Sequence, residues 1–161
     1  MSFQNQFTKT TTDANLMETV HHGSAEYPFR YYYENIALFD FKCIDWHWHS
    51  ELEFIYIESG NVVFDIGTVH FELNEGNGIM INSKILHRLQ SSSDAIIPNF
   101  LFQPSFIAPQ DSLIYKKYIN PVISSSLEYL VFQPDIPWQK KALEIIKTII
   151  AINTPISANT L

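Results

Sequence analysis

A mainly β fold, an antiparallel barrel or jelly roll followed by C-terminal helices, is predicted by three features of this 161-residue sequence. Short β-rich runs follow one another closely between residues 29 and 102, too many and too evenly spaced for an open two-stranded ribbon. Turn residues punctuate them. Ser59-Gly60-Asn61, Gly67-Thr68, Asn74-Glu75-Gly76-Asn77-Gly78 and Ser91-Ser92-Ser93-Asp94 supply that chemistry. Beyond Pro104 the apolar period changes from that of a strand to that of a helix.

Taken in order, residues 1–24 are polar, rich in Thr, Asn and Gln, and keep neither period, which predicts a flexible N-terminal arm with His21 and His22 as surface residues. Residues 25–104 form the predicted barrel. Its strands are expected at Phe29 to Tyr33, Ala37 to Cys43, Glu53 to Glu58, Val62 to Ile66, Val69 to Leu73, Ile79 to Ile81, His87 to Ser91 and Ile97 to Phe102. Residues 105–161 read as a helical segment. Asp111 can cap a short helix that Pro121 stops, and Leu127 to Phe132 can return as an extended stretch. The clearest helix opens at Pro137 and carries an apolar stripe of Ala142, Ile145, Ile146, Ile149 and Ile150. Thr154-Pro155 looks like a fresh helix start close to the last residue, so the sequence reads as part of a longer protein.

Composition narrows the function classes. A net charge of −7 with scattered Lys and Arg argues against nucleic-acid binding by these residues themselves. The single cysteine, Cys43, cannot close an internal disulfide, which points to a reducing compartment. Neither a membrane-length apolar run nor a leader pattern at Met1-Ser2-Phe3-Gln4-Asn5 is present, and the chain reads as cytoplasmic, with no membrane partner. No Gly-x-Ser-x-Gly elbow, phosphate loop or cysteine nucleophile motif occurs.

The chemistry concentrates in His47-Trp48-His49-Ser50-Glu51-Leu52-Glu53, which leads through an aliphatic strand to Gly60. In extended chain His47, His49, Glu53, Ile55 and Ile57 share one face, so two imidazoles and a carboxylate converge. This stretch resembles the first motif of the cupin superfamily: His-x-His, three residues, Glu, six residues, Gly. The segment from Gly76 to His87 resembles the second motif, with departures at Asn82, Lys84 and Ser91. With Tyr27-Pro28-Phe29-Arg30-Tyr31-Tyr32-Tyr33 ahead of both, the wording is most similar to the sensor half of AraC-type transcription regulators, from about Tyr27 to Leu161.

That resemblance implies an effector-sensing and dimerisation domain that binds a small molecule in its barrel, in some relatives under the N-terminal arm. DNA would be contacted only through a C-terminal helix-turn-helix domain absent from these residues. The expected ligand-binding residues are His47, His49, Glu53, His87, Tyr31 and Arg88, with Arg30 as a further anchor for an anion. In cupin enzymes the positions matching His47, His49, Glu53 and His87 hold a divalent transition metal, a donor set suited to Fe, Ni, Mn, Co or Zn. Tyr33, Trp46, Trp48, Phe64, Phe100 and Phe102 are further candidates for the cavity wall, whereas His70 is expected to face outward. Ile145, Ile146 and Ile149 are the expected dimerisation contact. The chain is not expected to be an enzyme; the alternatives are a metal-dependent cupin oxygenase or isomerase, and a metal-free binding module acting without DNA.

Overall fold

The computed structural model describes residues 6–155. The leader reading of residues 1–5 and the helix expected after Pro155 lie outside the described residues. Among them, nine strands form two antiparallel sheets laid face to face. One sheet has the order β1 (Phe29–Tyr32), β8 (Asn99–Phe102), β3 (Leu52–Tyr56), β6 (Gly78–Ile81), β9 (Tyr129–Phe132). The other has the order β2 (Cys43–His47), β7 (His87–Gln90), β4 (Asn61–Ile66), β5 (Val69–Asn74). This is the predicted jelly-roll barrel.

Strand alternation sorts its side chains into two cores. Ile55, Ile57, Val62, Phe64, Ile66, Ile79, Ile81 and Leu89 point between the sheets and fill one end of the barrel. Alternate residues of the five-stranded sheet, Tyr31, Leu52, Met80, Phe100, Phe102 and Phe132, point the other way. They are covered by Leu143, Ile146 and Ile150 of helix α2 (Pro137–Asn153). The approach is close at Gly78 on β6, where a Cβ would stand 2.8 Å from Leu143 Cδ2 and 3.3 Å from the Ile55 carbonyl oxygen, so a larger residue there would have to displace the Leu143 side chain. Gly60 takes φ +80° in the β3–β4 turn, and a Cβ there would meet the Asp94 carbonyl oxygen at 2.4 Å.

Three expectations need correction. Ala37 to Cys43 is not a strand: Asn35 Oδ1 accepts from the Ala37 N–H and starts a 3₁₀ turn at Ile36–Leu38, and a second follows at Asp40–Lys42. Phe41 and Lys42 turn the chain there with φ of 57° and 51°. Pro121 does not stop the preceding helix; a π-turn at Tyr115–Ile119 runs directly into helix α1 (Asn120–Ile123), which contains it. Ser112, not Asp111, caps that start through Oγ, which accepts from Tyr115 N–H. The extended stretch expected at Leu127 to Phe132 is present as strand β9, which pairs with β6 from Gly78↔Phe132 to Ile81↔Tyr129.

Residues 6–24, expected as an arm free of the barrel, lie against it. Met17 pairs in parallel with Trp48, and Asp40 N–H donates to Thr8 O at 2.7 Å. The polarity of the segment hid this, because its partners are backbone groups and side chains at the barrel mouth. His22 is accordingly buried and not a surface residue, although His21 is exposed.

Candidate functional site

At the end of the barrel opposite the aliphatic core, β2, the 48–51 connection, β3 and β7 bring His47, His49, Glu53 and His87 together. His47 and His87 face each other across the β2–β7 pair, with ring centroids 4.2 Å apart. All three histidines are buried, and one ring nitrogen from each falls within 4.8 Å of the other two. The convergence expected from the sequence is therefore present, despite an irregularity in the β2–β7 register between Ile44 and His47.

Backbone carbonyls set the rings. His47 Nδ1 lies 2.7 Å from Asp45 O, His49 Nδ1 3.2 Å from Glu51 O and His87 Nδ1 2.8 Å from Ile85 O. A carbonyl only accepts, so each Nδ1 carries a proton and each ring turns its Nε2 to the site, as a lone pair where the ring is neutral and as a donor where His49 meets Glu53. Glu53 Oε2 is 3.3 Å from His49 Nε2 and 3.2 Å from His87 Nε2. The second contact misses hydrogen-bond geometry, which leaves the fully buried His87 Nε2 without a hydrogen-bond partner among the described residues.

The charges are distributed unevenly. Burial, with His87 and His49 nearby, pushes the His47 imidazole down to about 3, so it is neutral at physiological pH. Burial also works against a charged His49, but the hydrogen bond and charge of Glu53, with Glu18 and Glu51 beyond, outweigh it and raise its pKa above the usual histidine range. Burial opposes a charged Glu53 as well. The hydrogen bond from His49 and the contact with His87 prevail and hold its carboxyl well below the usual range. Glu34, bonded by Asn99 Nδ2 at 3.0 Å, goes the other way: burial, with Glu53 and Glu18 near, pushes it up to about 8.

These residues fit a divalent transition metal. A neutral His87 ring places a buried lone pair against a carboxylate oxygen, two acceptors in contact, and a cation between them satisfies both. His47, His49, His87 and Glu53 are the residues that would hold it. A bound ion would supply Lewis acidity to a further ligand.

The hollow beside the imidazoles has a volume of about 40 Å³, room for a few waters. Its wall includes Tyr32, Glu34, Phe39, Asn99 and Leu101 from the barrel and Phe7, Glu18 and His22 from the arm. Two expected ligand residues are elsewhere. Tyr31 points outward into the core under α2, where its hydroxyl meets Thr154 Oγ1 at 2.9 Å; its neighbour Tyr32 faces the hollow. Arg88 lies on the outer face of the four-stranded sheet, bonded through Nε and Nη2 to Asp65 Oδ2 and set over the Trp46 ring. The Arg30 guanidinium lies over the Tyr32 ring, 5.9 Å from its centroid.

The expected cavity aromatics miss it as well. Phe64 belongs to the aliphatic core, Phe100 and Phe102 to the core under α2, the Tyr33 hydroxyl donates to Glu58, and Trp48 Nε1–H donates to Asn15 O. His70, expected to face outward, does so and bonds Asp65 through Nδ1 at 2.6 Å. Glu18, His22, Glu34 and Asn99 were missed by sequence reasoning. The one available signal was the four-residue spacing of Glu18 and His22.

A two-sheet β-barrel with three converging imidazoles and a carboxylate at one end is a cupin-type architecture. Residues 26–109 match the family model described as the AraC-like ligand binding domain. The chain belongs to that family. It is 32% identical over 140 residues to the uncharacterized HTH-type transcriptional regulator YdeC of Bacillus subtilis. That match takes in 85% of this chain and 47% of the relative, so the chain spans about half the length of the regulator it matches. Among solved structures it is similar to a cupin 2 conserved barrel domain protein from Salinispora arenicola, at 13% identity, TM-score 0.44, and coverage of 55% of this chain and 71% of that one. An oxalate decarboxylase from Bacillus subtilis matches at 21% identity and TM-score 0.36, over 38% of this chain and 18% of that one. Among the described residues no helix is long and apolar enough to cross a membrane.

Proposed function

We propose that the chain is the effector-sensing and dimerising part of a cytoplasmic AraC-type transcriptional regulator. A small molecule binds at the barrel mouth, and DNA is contacted by a helix-turn-helix part C-terminal to these residues. The observation that carries this reading is the hollow built jointly by barrel and arm, lined by His47, His49 and Glu53 on one side and by Glu18 and His22 on the other. A ligand shifts an equilibrium only as far as it prefers one state. An effector that replaces arm contacts at this hollow has that preference built in. The gene read past Leu161 is expected to encode two helix-turn-helix units; a frame that closes without them overturns the regulator reading.

Dimerisation is assigned to the outer face of α2. Ile145 and Ile152 are 63% and 77% exposed there, seven residues apart, with Trp138 a further seven before them at 55%. Ile149, half-buried, borders this stripe, whereas Ile146 is buried against the sheet and drops out of the expected contact.

That His87 Nε2 has no hydrogen-bond partner among the described residues favours a second reading, a metal-dependent cupin enzyme of the oxygenase or isomerase kind. Elemental analysis of protein prepared without affinity-tag metals separates the two. Near-stoichiometric transition metal, lost in the His47→Ala, His49→Ala double variant, is the result expected if the imidazoles hold an ion. Metal-free wild-type protein removes the enzyme reading.

A further inference from the structure

The arm does more than cover the mouth. Glu18 N–H donates to Trp48 O at 2.9 Å and Trp48 N–H donates to Leu16 O at 3.0 Å, so residues 16–18 form a short parallel extension along the His47-Trp48-His49 segment. Alternation then turns Glu18 inward with the histidines while Met17 and Trp48 face away. Its carboxylate meets His22 Nε2 at 2.8 Å; His22 Nδ1 is held by the Tyr32 hydroxyl at 2.7 Å, and the His22 ring stands edge-on to His49 with centroids 5.7 Å apart. Glu18 is thus a largely buried anion carried into the site by the arm, beside two imidazoles, in a hollow with room left for only a few waters.

We propose that Glu18 is a built-in occupant of an anion subsite, and that the effector is a small carboxylate which takes its place beside His22 and His49 and releases residues 16–18 from the mouth. This deepens the sensor reading and rests on it. The hollow admits no metabolite of ordinary size unless an arm group leaves, and among the arm residues that line it Glu18 carries the negative charge. Its departure strips His22 Nε2 of its acceptor and His49 of one of its nearby carboxylates. A neutral ligand restores neither, whereas a carboxylate restores both, so the buried charge is unchanged on exchange.

The full 161-residue chain is titrated calorimetrically with sodium acetate and, at matched ionic strength, with sodium chloride. Acetate is expected to bind Glu18→Ala at least ten-fold more tightly than wild type, because the variant opens the subsite that Glu18 fills. Glu18→Gln, which fills the space without the charge, gains no such affinity. In wild-type protein saturating acetate is expected to speed trypsin cleavage after Lys9, at the start of the covering segment, and chloride is not; this readout stands even if Glu18→Ala fails to fold. Acetate binding no tighter in Glu18→Ala, or unchanged cleavage after Lys9, overturns the proposal. A neutral molecule that binds the hollow, is lost in His49→Ala and is indifferent to Glu18→Ala overturns the anion subsite and leaves the sensor reading standing. A gene frame without DNA-binding units does the reverse.

Discussion

Ile146→Asp is expected to destabilise the fold by at least about 4 kcal/mol, whereas Ile145→Asp, one residue away, is expected to change the stability of the monomeric fold by no more than about 0.5 kcal/mol. Ile146 is 3% exposed and packs with Leu143 and Ile150 against Met80, Phe100 and Phe132, so a carboxylate there is buried without a partner and the α2 contact is lost. Ile145 faces away from the sheet. Urea unfolding checks both, and equal costs at the two positions would refute the described seating of α2. The same substitutions test assembly: Ile145→Asp with Ile152→Asp is expected to give a folded monomer by light scattering. An oligomer of unchanged mass would remove the outer face of α2 from the interface.

The second large effect is a pH dependence centred on Glu34. Its side chain is buried, receives a hydrogen bond from Asn99 and faces the carboxylates of Glu53 and Glu18, with Phe7 backbone adding a hydrogen bond. With a folded pKa of about 8 against an ordinary value of 4.5, the folded chain keeps a proton that the unfolded chain has lost across this window. Stability from this group therefore falls as pH rises from 4.5 to 8 and levels off above. At roughly 1.4 kcal/mol per unit the full loss is on the order of 3 to 5 kcal/mol. His49, whose pKa is also raised, adds a loss of the same sign, and His47, pushed down, acts oppositely at lower pH. The comparison with Glu34→Gln isolates the carboxyl. Wild type is expected to lose stability relative to the variant between pH 5 and pH 9, by about 3 kcal/mol or more. A difference that stays constant with pH would show that Glu34 is already charged when folded.

His47, His49, Glu53 and His87 were legible in sequence because spacing alone places them. An extended chain carries His47, His49 and Glu53 toward one side, and the second motif returns His87 on a neighbouring strand. Tyr31 and Phe100 were misjudged for the reason that makes strands hard to read by composition. The sheet holding them is covered on both faces, by the opposite sheet and by α2, so apolar residues occur at both parities and the pattern does not reveal which parity is inward. One residue of offset separates Tyr31, under the helix, from Tyr32, at the hollow. Arg88 failed likewise: it follows His87 directly, so alternation sends it to the opposite face, where Asp65 receives it.

By itself the sequence determined the double-sheet architecture, the terminal helix and the cluster of imidazoles around Glu53, since turn chemistry, strand and helix periods, and motif spacing are local properties. Only the tertiary structure decided that α2 buries Ile146, that Tyr32 and not Tyr31 reaches the hollow, and that Glu18 and His22 complete its wall. Those outcomes depend on contacts between segments distant along the chain. The polar arm has no periodicity to announce them, because it is held by backbone pairing to Trp48 and by single side-chain hydrogen bonds at the mouth.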